Sequence, residues 1–140
     1  MTATRSPGTL MLLSRLSKSA LRRMPEPLLG MSVRHYVALS YIANPGGISQ
    51  QQLAEILMMD ANNVVLLLNE LEADGLITRE RDSADRRRHL VQVTNAGQAG
   101  YERALTAREV VEVEILHNLS GAERKALHDL LVKALGADGH

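Results

Sequence analysis

Apolar residues recur at intervals of three to four along most of the chain, and this spacing predicts a protein built mainly from amphipathic helices. Between residues 76 and 94 the pattern changes to alternating apolar and polar residues, interrupted by the charged stretch 79–88. Alternation on both sides of a charged tip predicts two short strands joined as a β-hairpin. The predicted helices cover residues 9–23, 33–43, 49–58, 61–73 and 94–117, with a last helix after residue 120.

Polar residues at the expected helix ends support these boundaries. Ser49 and Gln52 form the S-x-x-Q pattern of a capping box, and Asp60 stands where it can cap the following helix. That second helix is expected to end at Gly75, because glycine commonly follows the last turn of a helix. The order helix, tight turn, helix and basic hairpin is typical of a winged helix-turn-helix, which is a DNA-binding fold.

Several short motifs in this region occur together at a characteristic spacing. They are Leu53-Ala54, the segment Leu71-Glu72-Ala73-Asp74-Gly75-Leu76-Ile77, Arg79, Asp85-Arg86-Arg87 and Thr94-Asn95-Ala96-Gly97. Through these motifs, residues 48–97 resemble the multiple-antibiotic-resistance regulator (MarR) family of dimeric bacterial transcription factors. Outside this block the resemblance rests on the order and length of the helices.

The resemblance implies a mainly α fold with a small β-hairpin wing (α+β), that is, a winged helix-turn-helix with terminal dimerisation helices. It further implies a homodimeric repressor that binds a pseudo-palindromic operator in double-stranded DNA and responds to a small organic effector. On this basis, residues 1–8 are predicted to be a flexible tail, and residues 31–97 the DNA-binding region. Residues 9–30 and 98–140 are predicted to form the helical dimerisation region of the same compact unit.

Composition narrows the remaining possibilities. The chain has 140 residues, 45% of them hydrophobic, without Phe or Trp, so packing between aliphatic helices is the expected core. It has no cysteine, which excludes disulfides, thiolate metal sites and thiol redox sensing. The apolar runs are too short to cross a bilayer and the first residues do not begin a signal peptide, so a cytoplasmic location without membrane contact is expected. No catalytic motif or cofactor-binding loop is present, and we predict no enzyme activity, cofactor or metal.

The net charge is zero, with 16 residues of each sign, but the charges are unevenly distributed. Residues 1–45 hold six cations and one anion, whereas residues 46–75 hold five anions and no cation. Residues 76–97 hold five arginines and three acids. This local surplus of positive charge favours phosphate contact by the hairpin, although a solvated surface neutralised by Asp82 and Asp85 is the alternative interpretation.

The second helix of the motif is predicted to enter the major groove with its first turn. Asn62 and Asn63 lie in that turn and could pair with adenine, although both could instead be capping and solvated residues. Where the family often has Thr-Arg in the middle of this helix, this chain has Val65 and Leu66, which could contact a thymine methyl group. The predicted DNA contacts are Ser49, Gln50, Asn62, Asn63, Val65, Leu66, Asn69, Arg79, Arg86, Arg87 and Arg88.

Within the wing, the family resemblance makes Arg87 the first candidate for the minor groove, with Asp85 orienting it through a carboxylate–guanidinium pair. Arg86 and Arg88 are predicted to contact phosphates, and Arg79 could brace the hairpin instead of touching DNA.

His35 and Tyr36 are the candidate effector-binding residues, because the family places its effector pocket where the first helix meets the helix 33–43. The alternative for Tyr36 is a core tyrosine with a solvated hydroxyl group. A helical protein-interaction module without DNA binding remains the rival function. That rival does not account for an arginine-tipped hairpin, and only the DNA-binding interpretation predicts a steep salt dependence.

Overall fold

A computed structural model describes residue 5 and residues 7–136 of the chain. Most of the predicted tail 1–8 lies outside the described residues, as does the end of the chain after residue 136. The elements, in chain order, are α1 Thr9–Arg22, α2 Glu26–Leu29, α3 Val33–Ile42, β1 Ile48–Ser49, α4 Gln50–Leu57, α5 Ala61–Ala73, β2 Ile77–Arg81, β3 His89–Val93, α6 Asn95–Ile115 and α7 Gly121–Leu135. The predicted mainly α fold with a small β wing is therefore confirmed.

Side-chain caps set the starts of most helices. The predicted capping box of Ser49 is formed, since its hydroxyl accepts from Gln52 N while Gln52 Oε1 accepts from Ser49 N. The same reciprocal pair joins Ser120 and Glu123 at the start of α7. Asp60 caps α5, which is followed by Gly75 in the left-handed region at φ 73°. These local signals explain why the helix starts could be predicted closely.

The wing contains one strand more than the two that were predicted. β3 lies in the middle of a three-stranded antiparallel sheet, with β2 on one side and β1 on the other. β1 is only two residues long, with Ile48 opposite Val91 and Ser49 opposite Leu90. Such a short strand exists because of its non-local partner, so the residues 48–49 carry no alternating pattern of their own.

The core lies between α3, α4, α5 and the inner face of the sheet. Its fully buried side chains are aliphatic and include Leu39, Ile42, Leu53, Leu67, Leu68, Leu71, Ile77 and Val91. In α3, Tyr36 is buried, as the core interpretation of this residue predicted. Ala38 of the same helix is also buried, whereas Val37 is 37% exposed.

The two terminal helices bury little in the single chain. Neither α1 nor α7 contains a buried residue, and Leu10 and Met11 of α1 are 80% and 66% exposed. α1 rests on α6, which also packs against α2 and α3. Among the described residues, no helix has the length and apolar character that crossing a bilayer requires. The terminal helices therefore leave an apolar surface that the single chain does not cover.

Candidate nucleic-acid interface

Helix α5 has one face in the core and the opposite face in solvent. Val64, Leu67, Leu68 and Leu71 are buried, which turns Asn62, Leu66 and Asn69 outward on a common stripe. Leu66 is 58% exposed and so presents an apolar side chain to solvent. The exposed stripe is therefore uncharged and partly apolar, with an amide at each end.

The two asparagines of the first turn have different surroundings. The backbone N–H of Asn63 donates to Asp60 Oδ1 at 2.8 Å, and its side-chain Nδ2 donates to Asp60 Oδ2 at 3.0 Å. Asn63 thus acts in the cap, which is the alternative that the sequence left open. Asn62 is exposed and its side chain has no hydrogen bond to another described residue, so its side-chain amide is available for a ligand.

The wing tip is a compact turn held by two aspartates. Asp85 Oδ1 accepts from Arg87 N at 3.0 Å, and the Asp85 carbonyl accepts from Arg88 N at 3.0 Å. Asp82 Oδ1 likewise accepts from Ala84 N at 2.9 Å. Asp85 therefore shapes the tip through the backbone of Arg87. The expected carboxylate–guanidinium pair with Arg87 is absent, because the same carboxylate closes the turn beneath it.

The guanidinium groups at the tip are uncommitted. Arg86, Arg87 and Arg88 are exposed, and within the described part of the chain no carboxylate lies within ion-pair distance of them. Arg81 Nη1 donates to the Arg86 carbonyl at 3.2 Å and so closes the base of the tip. Among the described residues, Asp82 and Asp85 therefore do not neutralise these three positive charges by direct pairing.

The wing and the helix pair border one cleft of about 220 Å³. Arg87, Arg88 and His89 line it from the wing, and Gln50 and Gln51 from α4 line the other side. The first residue of α5, Ala61, also reaches it. The fold thus brings the predicted residues Gln50, Arg87 and Arg88 together, and adds Gln51, which the sequence analysis missed although it follows Gln50 directly.

Ser49 and Arg79 differ from the remaining predicted contacts. Ser49 is 2% exposed with its hydroxyl in the capping box, so it supports α4, and it forms part of the wall of the cleft. Arg79, in β2, donates from Nη2 to Asn69 Oδ1 at 2.6 Å and to Glu72 Oε1 at 3.1 Å, and from Nε to Glu72 Oε2 at 3.3 Å. This bidentate pair lowers the pKa of the Glu72 carboxyl. Arg79 thus braces the wing against α5, as the alternative for this residue predicted.

The candidate effector residues lie on α3. Tyr36 is 8% exposed and stacks on Tyr101 of α6 with ring centroids 5.8 Å apart. Burial raises the pKa of the Tyr36 hydroxyl. The core interpretation of Tyr36 is therefore correct as far as its ring is concerned. His35 points elsewhere: its Nε2 lies 2.8 Å from Glu70 Oε2 on α5, in a hydrogen bond to that carboxylate.

Arg108 of α6 also acts on this region, since its charge opposes the rise in the Tyr36 pKa. Its Nη1 donates to Glu112 Oε1 at 3.0 Å, whereas its Nε is buried and has no hydrogen-bond partner among the described residues. A buried donor without an acceptor is uncommon in a native core.

Comparison with known proteins finds transcriptional regulators similar to this chain. A sequence model described as "MarR family" matches residues 29–88. The chain is 34% identical over 109 residues to a protein of Thauera aromatica described as a putative transcriptional regulatory protein for the hcr operon, a match covering 78% of this chain and 66% of that protein. It is 30% identical over 115 residues to the transcriptional regulator HosA of Escherichia coli O111:H-, covering 82% of this chain and 85% of HosA.

Solved structures share the fold over nearly the whole chain. A crystal structure of MarR superposes with a TM-score of 0.82 at 25% identity, covering 96% of this chain and 93% of that one. CouR from Rhodococcus jostii RHA1, crystallised with p-coumaroyl-CoA, superposes with a TM-score of 0.77 at 26% identity, covering 92% and 93%.

Proposed function

This chain belongs to the MarR family of transcriptional regulators, which are DNA-binding proteins and not enzymes, and we propose that it is a ligand-responsive repressor that binds a pseudo-palindromic operator as a homodimer. The observation that carries this proposal is the cleft in which the uncommitted arginines of the wing face the start of α4 and α5. In this arrangement α5 enters the major groove while the wing tip reaches the adjacent minor groove.

The roles of individual residues follow from their surroundings. Asn62 and Leu66 face the bases, because they are exposed on the outer stripe of α5 and make no cap. Val65 flanks them and is half-buried. Arg87 enters the minor groove, while Arg86 and Arg88 contact phosphates beside it. The Asn69 amide oxygen is occupied by Arg79, so Asn69 contributes its free N–H donor only.

A fluorescence-anisotropy titration on the DNA flanking the protein's own gene tests this assignment. We expect Arg87→Ala to weaken binding by about 1–3 kcal/mol and to reduce the steepness of the salt dependence. The matched control is Arg103→Ala, which removes an exposed cation from α6, away from the wing. Equal affinity of the Arg87 variant and the native protein across the salt series would remove Arg87 from the interface. A native protein without affinity for any duplex at low ionic strength would favour the interaction-module alternative.

The proposed dimer rests on the terminal helices. Large apolar side chains of α1 and α7 face solvent in the single chain, including Leu10, Met11, Leu21, Leu130 and Leu135. Exposed large apolar side chains on two terminal helices are typical of a subunit interface, and a twofold pair would place two reading helices about one DNA turn apart. Sedimentation equilibrium at micromolar concentration should give twice the chain mass, and a monomer would contradict the operator symmetry proposed here.

The proposed effector is an aromatic acid or its thioester. Support comes from the stacked rings of Tyr36 and Tyr101 beside Arg108, whose buried Nε lacks an acceptor that a carboxylate or carbonyl oxygen could supply. CouR, which shares this fold, was crystallised with p-coumaroyl-CoA. An effector wedged between α3 and α6 would change the distance between the two reading helices and so release DNA. Release of the operator by phenolic acids in the same assay, reduced in Arg108→Gln, is the expected result.

A further inference from the structure

Helix α5 is held on both flanks by side-chain hydrogen bonds to other elements, and no sequence motif predicted them. Glu70 and Glu72 are two residues apart, so the helical rotation of about 100° per residue directs them to opposite sides of the outer stripe. Glu72 is held by Arg79 from the wing, and Glu70 is held by His35 from α3. The reading helix is thus anchored to two separate elements, each through one carboxylate.

The two anchors respond differently to pH. Arginine keeps its charge at any physiological pH, so the anchor to the wing is constant. Histidine can change its charge within the physiological pH range, so the anchor to α3 is an ion pair when His35 is protonated and a neutral hydrogen bond when it is not. The hydrogen bond from His35 lowers the pKa of Glu70, so that carboxylate stays ionised throughout.

We propose that His35 is a positioning residue that couples DNA affinity to protonation: in its charged form it fixes α5 against α3 through Glu70 and neutralises that carboxylate beside the DNA. Both effects of His35 protonation are expected to raise the affinity for DNA. A tighter anchor presents α5 in one orientation, and a neutralised carboxylate repels phosphates less, so DNA affinity rises as the pH falls. This inference rests on the proposed binding of DNA through α5.

Other charged groups around α3 do not offer the same coupling. Arg34, next to His35, also lowers the pKa of Glu70, but its charge does not change in this range. On the side of α6, the groups that act electrostatically on α3 are Tyr101, Arg108, Glu109 and Glu112, and they act at Tyr36. His35 itself is well placed for a specific pair, because its side chain is only 16% exposed.

The test compares operator affinity at about pH 6 and about pH 8, where a histidine changes charge. We expect the native protein to bind about threefold to tenfold more tightly at the lower pH, since a coupling of one pKa unit corresponds to a factor of ten. His35→Gln and Glu70→Gln should each lose most of this ratio. Glu72→Gln removes the carboxylate on the opposite flank and should shift the affinity equally at both pH values.

His89 needs its own control, because it is exposed at the start of β3 and lines the cleft beside Arg88. His89→Gln removes any direct effect of a wing histidine on the pH ratio while His35 stays in place. A His35→Gln protein that is folded by circular dichroism and keeps the native pH ratio would overturn the proposal. A native protein that binds no duplex at either pH would instead overturn the proposed function, and the coupling with it.

A measurement without DNA tests the proton link between His35 and Glu70 independently of the proposed function. In a double-mutant cycle of unfolding free energies, His35→Gln and Glu70→Gln should be coupled more strongly at about pH 6 than at about pH 8. Equal coupling at both pH values would show a hydrogen bond without a proton link, and would contradict the proposal even if the operator is bound.

Discussion

A single methyl group at Gly97 should separate the wing from the long helix behind it. Gly97 lies in the first turn of α6 and packs against the chain just before β2. A Cβ atom at this position would lie 2.0 Å from the Leu76 carbonyl oxygen and 2.7 Å from Val93 Cγ2. Because non-bonded heavy atoms prefer separations of about 3.5–4 Å, the backbone segments must move apart by more than about 1 Å.

The cost follows from what that movement breaks. The same Leu76 oxygen accepts from Thr94 N at 3.0 Å, and the Thr94 hydroxyl donates to the Gly75 carbonyl at 2.7 Å while it accepts from Gly97 N at 3.0 Å. Overpacking costs about 1–3 kcal/mol and a lost hydrogen bond adds about 1 kcal/mol. We therefore expect Gly97→Ala to lower the free energy of unfolding by about 2–4 kcal/mol, out of a total of about 5–15 kcal/mol.

Urea denaturation followed by circular dichroism, at one fixed protein concentration, measures this loss. Two other helical glycines provide graded controls. Gly121→Ala meets only Arg124 Nη2 at 3.6 Å and should be neutral or stabilising by up to about 1 kcal/mol. Gly100→Ala meets the flexible end of Met31 at 3.2 Å and should fall between the two. A Gly97→Ala protein within about 0.5 kcal/mol of the native stability would refute the packing argument.

Two further predictions concern other strained or charged positions. Met58, between α4 and α5, has a left-handed backbone with φ 51° and a side chain that is 91% exposed. Because glycine adopts this conformation without strain, Met58→Gly should stabilise the protein by about 0.5–1 kcal/mol in the same urea assay. An unchanged or lower urea midpoint would contradict this prediction. The hydrogen bonds from Ser120 lower the pKa of Glu123 below its ordinary value of 4.5. The ionised Glu123 carboxylate therefore stabilises the fold above that pH, and this contribution is lost as the pH falls through the lowered pKa. Unfolding measured at decreasing pH should therefore show a shallower acid loss in Glu123→Gln than in the native protein, and parallel curves would contradict a pH-dependent contribution from the Glu123 carboxylate.

The helix starts could be predicted because their signals lie within four residues of one another. Ser49 with Gln52 and Asp60 with Asn63 form the expected contacts, and Ser120 with Glu123 forms the same kind of contact at the start of α7. Likewise, the Thr94-to-Gly97 motif that supported the family resemblance has a physical reason, since a side chain at residue 97 would collide with Leu76. A local motif thus carried information about a tertiary contact.

The contacts that the sequence could not predict join residues far apart in the chain. β1 exists only because Ile48 pairs with Val91, and the anchor of His35 reaches Glu70, 35 residues away. The one-turn helix α2 was also missed, since the prolines that end α1 also permit a new first turn. For Arg79, the sequence left DNA contact and bracing open, and only the position of α5 beside β2 decides in favour of bracing.

The distribution of charge supports the proposal that a chain without net charge binds DNA through this surface. Helix α5 has no cation, and its carboxylates Glu70 and Glu72 are each engaged by a cationic or protonatable group of another element. The outer stripe itself, formed by Asn62, Leu66 and Asn69, carries no charge, which suits contact with base edges but supplies little attraction to phosphate. We expect that attraction to come from the wing, where the turn closed by Asp85 leaves the neighbouring guanidinium groups exposed. We expect the salt dependence of binding to follow the wing arginines, and base preference to follow Asn62 and Leu66 on the stripe.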